Sequence, residues 1–254
     1  MDGLLAPGEA AAVELREGRG AFVFAVEHAS NRMPRALGTL CLPVADLDRH
    51  IAWDPGAEAV AAALAERFGG DLLLQRYSRL VIDCNRAPDL ADAIVVRSED
   101  TDIPGNAGLT PQDRAVRIDA IWAPFHDTLS ALIDRRIAAR RPTALVTVHT
   151  FTPVYRGVRR PWHAGIIWTG ERTFADVVLA SLRREPGLVV GDNEPYAPKD
   201  NVDYTIRRHG FDRGIPHVMI EIRNDLVRDA EGQAAWAARL SRAIADFNVG
   251  ERAA

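Results

Sequence analysis

Two histidines and a glutamate stand at the ends of three apolar runs. Ala21 to Val26 leads into Glu27-His28, Ala144 to Val148 leads into His149, and Pro216 to Ile220 leads into Glu221. Short apolar runs of this kind read as buried strands. In an α/β fold, side chains at the carboxyl ends of such strands face the crevice where ligands bind. Neutral imidazole is the commonest metal ligand, and a hydrolytic zinc site uses three protein ligands and leaves one position for water. His28 and His149 are therefore candidate ligands of one Zn2+. A carboxylate closing an apolar run is costly to bury unless it is paired or metal-linked. Glu221 then reads as a general base that takes a proton from water and passes it to a leaving amine. The plain alternative is an ion pair with Arg223, two residues along on the same face and otherwise a further candidate to bind substrate.

The third ligand has two candidates. Asn31 lies three residues after His28, but an amide oxygen brings no charge to a zinc ion. Asp54, in the stretch His50 to Gly56, is the stronger electrostatic choice, and it also reads as the N-cap of the helix that follows. In Ser78 to Arg86 a period of two places Arg79, Asp83 and Asn85 on one face of a strand. The forked guanidinium of Arg86, with Asn85, suits a substrate carboxylate, while Arg79 pairs with Asp83. Tyr196 and His209 sit in polar, turn-like stretches from which they would close over a substrate. His50, His126 and His163 read as structural or exposed.

These residues need a scaffold, and the pattern supplies one. Strand and helix signals alternate from about residue 20 onward, as in an α/β sheet flanked by helices on both faces. Strands are expected at Phe22–Val26, Asp71–Gln75, Leu80–Cys84, Ala144–Val148, Ala164–Trp168, Leu188–Gly191 and His217–Ile222. Asp54-Pro55 opens a helix that Gly69-Gly70 closes; Thr110-Pro111 opens a long helix to about Ala139, and Gln233–Val249 forms a closing helix. Ala87 to Leu109 lacks periodicity and is long enough to be a functional loop over the pocket. No repeat or linker composition divides the chain, so one domain over residues 1–254 is expected.

With 254 residues, 47% hydrophobic and 26% charged, the chain has ordinary globular composition. A net charge of -4 argues against a nucleic-acid partner. Cys41 and Cys84 are too few for a disulfide framework, and no CxxC pair offers a thiolate zinc site. No signal peptide or membrane-length apolar run is evident, so a soluble cytoplasmic protein is expected. The oligomeric state is not encoded in any of these features.

Six segments, Glu27-His28-Ala29-Ser30-Asn31, His50 to Gly56, Ser78 to Arg86, Val148 to Tyr155, Asp192 to Tyr196 and Glu221 to Leu226, resemble in order the N-formylglutamate amidohydrolase family. That family looks like a branch of the zinc carboxypeptidase group. His28 and Val148-His149-Thr150-Phe151 are similar to its histidine-ligand segments, Asn85-Arg86 to its carboxylate-binding pair, and Glu221-Ile222-Arg223 to the segment carrying its general base. Asn31 departs from the pattern, since a ligand glutamate is expected there. The resemblance implies a mixed twisted, zinc-exopeptidase-like sheet and one zinc ion. It also implies hydrolysis of a small anionic N-acyl amino acid, with N-formyl-L-glutamate giving formate and glutamate in histidine breakdown. A carboxypeptidase-like hydrolase of amide-linked amino acids or short peptides shares this machinery. A non-catalytic carboxylate-binding protein would share the fold.

Overall fold

A computed structural model describes residues 3–197 and 203–252. Seven strands form one mixed sheet: β1 (Val13–Arg16), β2 (Phe22–Val26), β3 (Asp71–Gln75), β6 (Ala144–Phe151), β9 (Ala164–Ile167), β10 (Val190–Asp192) and β11 (His217–Arg223). Their spatial order is β1-β3-β2-β6-β11-β9-β10. The central strands β3, β2, β6 and β11 run parallel, β1 is antiparallel to β3, and β9 with β10 runs against β11. Two small ribbons, β4 (Arg97–Ser98) with β5 (Thr101–Asp102) and β7 (Val154–Tyr155) with β8 (Val158–Arg159), lie outside the sheet.

The helices are α1 (Val44–Leu47), α2 (Ala57–Phe68), α3 (Pro111–Arg117), α4 (Ala123–Ala138), α5 (Thr173–Arg183), α6 (Tyr204–His209) and α7 (Ala230–Ala245). Side-chain alternation explains why they flank both faces. Phe22, Phe24 and Val26 of β2 and Val146 and Val148 of β6 pack in one cluster with α2, α5 and α7, where Leu64, Phe174 and Trp236 are buried. Val23, Ala25 and Leu145 point the other way, into a second cluster with Phe125, Leu129 and Ile133 of α4. Burying each such side chain contributes about 1.5–3 kcal/mol. Strands apolar on both faces are what a parallel sheet covered on both sides requires.

The same parity places the chemistry. Odd-numbered residues of β6 and β11 share the α4 face, so His149 and Glu221, which are register partners, emerge side by side on it. Glu27 continues the β2 alternation through Val23 and Ala25 onto that face.

Three expected elements differ. Leu80–Cys84 is not a strand: Val81 N–H bonds back to Ser78 O and Arg86 N–H to Asp83 O, so the segment is a chain of turns. The Ser78 hydroxyl favours this by accepting from Leu80 N–H at 3.1 Å. The long helix from Thr110 is interrupted by a π-helical stretch, Ile118–Trp122, because Pro124 has no N–H for the carbonyl four residues back. The closing helix starts earlier, at Ala230, where the Asp229 side chain caps Gly232 N–H. The edge strand β1 and helices α5 and α6 were not foreseen.

Candidate active site

The site is assembled by short backbone ties. Asp54 N–H donates to His28 O at 2.9 Å, which lays the 50–56 segment across the end of β2. Gly56 lets the chain turn next to Asp54: its φ is +84°, and a Cβ there would meet Val227 O at 2.5 Å, where the chain beyond β11 passes. Helix α2 begins after Gly56 with no side-chain cap. Asp54 is thus not the expected N-cap, and its side chain is turned to the imidazoles instead.

Both rings aim Nδ1 at one Asp54 oxygen, His28 at 3.2 Å and His149 at 2.9 Å. The opposite nitrogens are also held: His28 Nε2 lies 2.7 Å from Asp83 Oδ1 and His149 Nε2 lies 3.0 Å from Glu27 Oε2. Arg79 closes the array, 2.5 Å from Asp83 and 3.5 Å from Asp54. Imidazole nitrogens facing a common point, each braced behind by a carboxylate, are the arrangement that orients metal-binding histidines. Potential ligand atoms of His28, Asp54 and His149 all lie within 4.8 Å of one another. Two imidazole nitrogens, once deprotonated, and one anionic oxygen suit a zinc-like ion.

Electrostatics separate the carboxylates. Burial works against charge on Asp54, but His28 and hydrogen bonds from both imidazoles outweigh it and hold its pKa far below the usual range. Burial opposes Asp83 likewise, and Arg79 and His28 keep it well below the ordinary value. Burial also disfavours the imidazolium of His149, yet Glu27 and Asp54 raise its pKa well above the usual value. Glu221 differs, because burial pushes it up to about 7 and the nearby Asp54 adds to that, while His149 only partly opposes it. Carboxyl groups pushed apart in this way divide into fixed charges and a proton carrier poised near neutral pH.

His28, Asp54, Arg79, Asp83, His149 and Glu221 line a cavity of about 260 Å3 together with Asn85, Arg86, Phe151, Tyr155, Arg156 and Tyr196. The loop between Ala87 and Leu109 contributes Asp92, Val95, Arg97, Ser98 and Glu99 to one wall. His50, read from the sequence as structural or exposed, also lines it, paired with Glu99 at 3.1 Å.

Other expected residues lie elsewhere. Asn31 donates to Leu47 O and Asp48, away from the imidazoles. Arg223 pairs with Asp225 at 2.8 Å and is not in the cavity wall, so it is not placed to bind substrate there, and the alternative Glu221–Arg223 pair does not form either. Both residues project from the same face of β11, but Arg223 lies at the strand's end, where Asp225 is nearer. His209 is 2% exposed and faces His126, and it too is absent from the cavity wall. Its sequence context looked turn-like, but it ends the short helix α6, which turns it inward. Glu27 was missed as a brace. The available signal was its position before His28, a charge at the end of a fully buried strand.

A sequence model of the N-formylglutamate amidohydrolase family matches residues 20–228. Among solved structures, gene product Atu2144 of Agrobacterium tumefaciens is 43% identical, with TM-score 0.93 over 95% of this chain and 96% of that one. N-formylglutamate amidohydrolase from Ralstonia eutropha JMP134 shares the fold at 21% identity and TM-score 0.66, over 92% of this chain and 96% of its own. Among curated proteins, none matches this sequence.

Proposed function

Because the chain belongs to the N-formylglutamate amidohydrolase family, we propose that it is a zinc-dependent hydrolase of N-acyl amino acids, with N-formyl-L-glutamate as the leading substrate. The observation that carries this reading is the convergence of His28 and His149 Nδ1 on Asp54 in a cavity also lined by Glu221. His28, Asp54 and His149 would hold the ion. When bound, the ion supplies a Lewis acid that lowers the pKa of water toward ~7 and polarises the acyl carbonyl. Asp54 provides the anionic ligand missing at Asn31, which favours an enzyme over a non-catalytic binder.

The protein's own groups account for the proton and the substrate. Glu221 takes a proton from the water whose oxygen attacks the acyl carbon. It returns that proton to the amide nitrogen as the C–N bond breaks, so the products are formate and a free amine. Arg86, 18% exposed at the cavity wall beside Asp92, and Asn85 would hold the substrate carboxylate. Tyr196 closes the same wall. Among the described residues no helix is long and apolar enough to cross a membrane. The unpaired thiols of Cys41 and Cys84 accord with a cytoplasmic setting, where disulfides are rare.

The test is hydrolysis of N-formyl, N-acetyl and N-succinyl amino acids, and of an acyl-dipeptide, with and without added zinc. The expected result is zinc-dependent formate release, fastest from N-formyl-L-glutamate. Zinc-loaded protein that cleaves none of these would end the reading; preference for the acyl-dipeptide would point to a carboxypeptidase-like enzyme. Arg86→Ala should raise KM about tenfold or more with a smaller change in kcat, since a charge-assisted bond is worth about 1.5–3 kcal/mol.

The pH dependence has a definite sign. Glu221 must be ionised to accept a proton, so kcat/KM should rise as pH rises through its pKa. Without metal that value is about 7. A nearby cation favours the carboxylate, so the acid limb of the loaded enzyme should fall at or below about 7. A rate that declines over this range would contradict the role.

A further inference from the structure

The segment Cys84-Asn85-Arg86 is not part of the sheet, yet each of its residues is fastened from outside. His126 Nε2 lies 2.8 Å from Cys84 O. The Trp122 indole N–H donates to Arg86 O at 2.9 Å. Thr205 N–H donates to Asn85 Oδ1 at 3.1 Å. Trp122 and His126 are four residues apart, with ring centroids 4.1 Å apart. Trp122 is the last residue of the π-helical stretch, so the widened turn decides where its indole points.

His126 can serve Cys84 in one way only. A carbonyl accepts and never donates, so Nε2 must carry the proton. Burial pushes the His126 pKa down to about 4, so the ring is neutral near pH 7 and Nδ1 is left as an acceptor. That acceptor lies 2.9 Å from His209 Nε2, and the two rings are within 5° of parallel. His209 Nε2 must therefore be the donor; its bond to Nδ1 holds the tilt of His126 and reinforces the tautomer that the Cys84 carbonyl dictates. Two phenylalanines would fill this space without the cost of burying polar rings. Histidines add a directed chain of donors that ends on the backbone beside Asn85.

We propose that Trp122 and His126, with His209 behind them, are positioning residues that set the angle at which Asn85 and Arg86 meet the substrate carboxylate. The inference rests on the carboxylate role given to Arg86 above. Helix α6 takes part directly: it supplies Thr205 and His209, and its Tyr204 ring packs on both Trp122 and His126. The grip on the substrate is therefore built from α4, α6 and the π-helical stretch rather than from the loop that carries it.

The test compares zinc-loaded variants on N-formyl-L-glutamate and on its α-carboxamide, which offers Arg86 no α-carboxylate. Trp122→Phe keeps the ring and loses the donor; His126→Phe does the same at Cys84, and His126→Gln restores a donor. Both Phe variants should raise KM for the acid about fivefold or more, the worth of a lost hydrogen bond. Both should leave kcat within about twofold and KM for the carboxamide unchanged, and His126→Gln should recover most of the loss. Combining Trp122→Phe with Arg86→Ala should add little to Arg86→Ala alone. If His126→Phe does not fold, Trp122→Phe carries the comparison. Equal rises in KM for both substrates, or lower thermal stability with unchanged KM, would overturn the inference. If Arg86→Ala itself leaves KM for the acid unchanged, the carboxylate role fails first, and this proposal fails with it for that separate reason.

Discussion

Glu221→Gln is expected to bind zinc as the wild type does and to lose about two to four orders of magnitude in kcat, the usual worth of a positioned general base. The substitution is nearly isosteric, and Glu221 is not among the three residues whose ligand atoms converge. Metal content and fold should therefore survive. What disappears is the only cavity-lining carboxylate whose pKa is raised toward neutrality among the described residues. The variant also has a signature outside catalysis. The folded pKa of Glu221, about 7, lies above its ordinary 4.5, so the folded state holds a proton that the unfolded state has released between those values. Stability contributed by the wild-type group therefore falls as pH rises from about 4.5 to about 7. Zinc-free Glu221→Gln lacks this loss, so it should melt higher than zinc-free wild type at pH 8 and about equally at pH 4.5. Near-wild-type turnover would remove Glu221 from the mechanism, and equal melting at pH 8 would contradict its buried, proton-holding state.

His149→Ala is expected to have the larger effect, with formate release falling to the background seen without zinc. The imidazole occupies the centre of the array, at 2.9 Å from Asp54 and 3.0 Å from Glu27. Its loss removes one of three ligands and leaves the buried carboxylates of Glu27 and Asp54 without their shared partner, which is costly in itself. Thermal unfolding should therefore be checked beside activity. Asp83→Asn is the milder companion: it keeps the ligands but weakens the brace on His28 Nε2, and metal affinity should drop about ten- to hundredfold. If His149→Ala retained zinc-dependent hydrolysis while folded, the metal would lie elsewhere.

Much of this site was legible in the sequence because strand parity is a strict code. Once Ala144 to Val148 is a strand, the direction of His149 follows, and the same holds for Glu221. Pairing of neighbouring parallel strands then brings the two together without any detail of the loops. Asp54 was legible as a candidate by charge alone, and the choice between cap and ligand needed the turn at Gly56, where a left-handed backbone releases the aspartate from capping. Asn85 and Arg86 do line the cavity, but the pattern that singled them out is not what places them there. The alternation predicted for Ser78 to Arg86 assumed a strand, whereas Ser78 folds the segment into turns.

What the sequence did not show is what depends on long-range packing. His209 stands in a turn-like sequence that suggests a place over the substrate, and only α6 turns it onto His126. The pairing of Arg223 with Asp225 is local, but its exclusion from the cavity depends on the path of the chain beyond β11. Glu27 carries no spacing signal, and its role appears only when β6 lies beside β2.

Whether His28, Asp54 and His149 hold one zinc ion is decided by calorimetric titration of metal-stripped protein with zinc, run on wild type, Asp54→Ala and His149→Ala under identical conditions. Wild type should bind one tight equivalent, each variant should bind at least a hundredfold more weakly, and formate release should track site occupancy. Folded wild type that binds no zinc, or variants that bind it as tightly as wild type, would contradict that assignment.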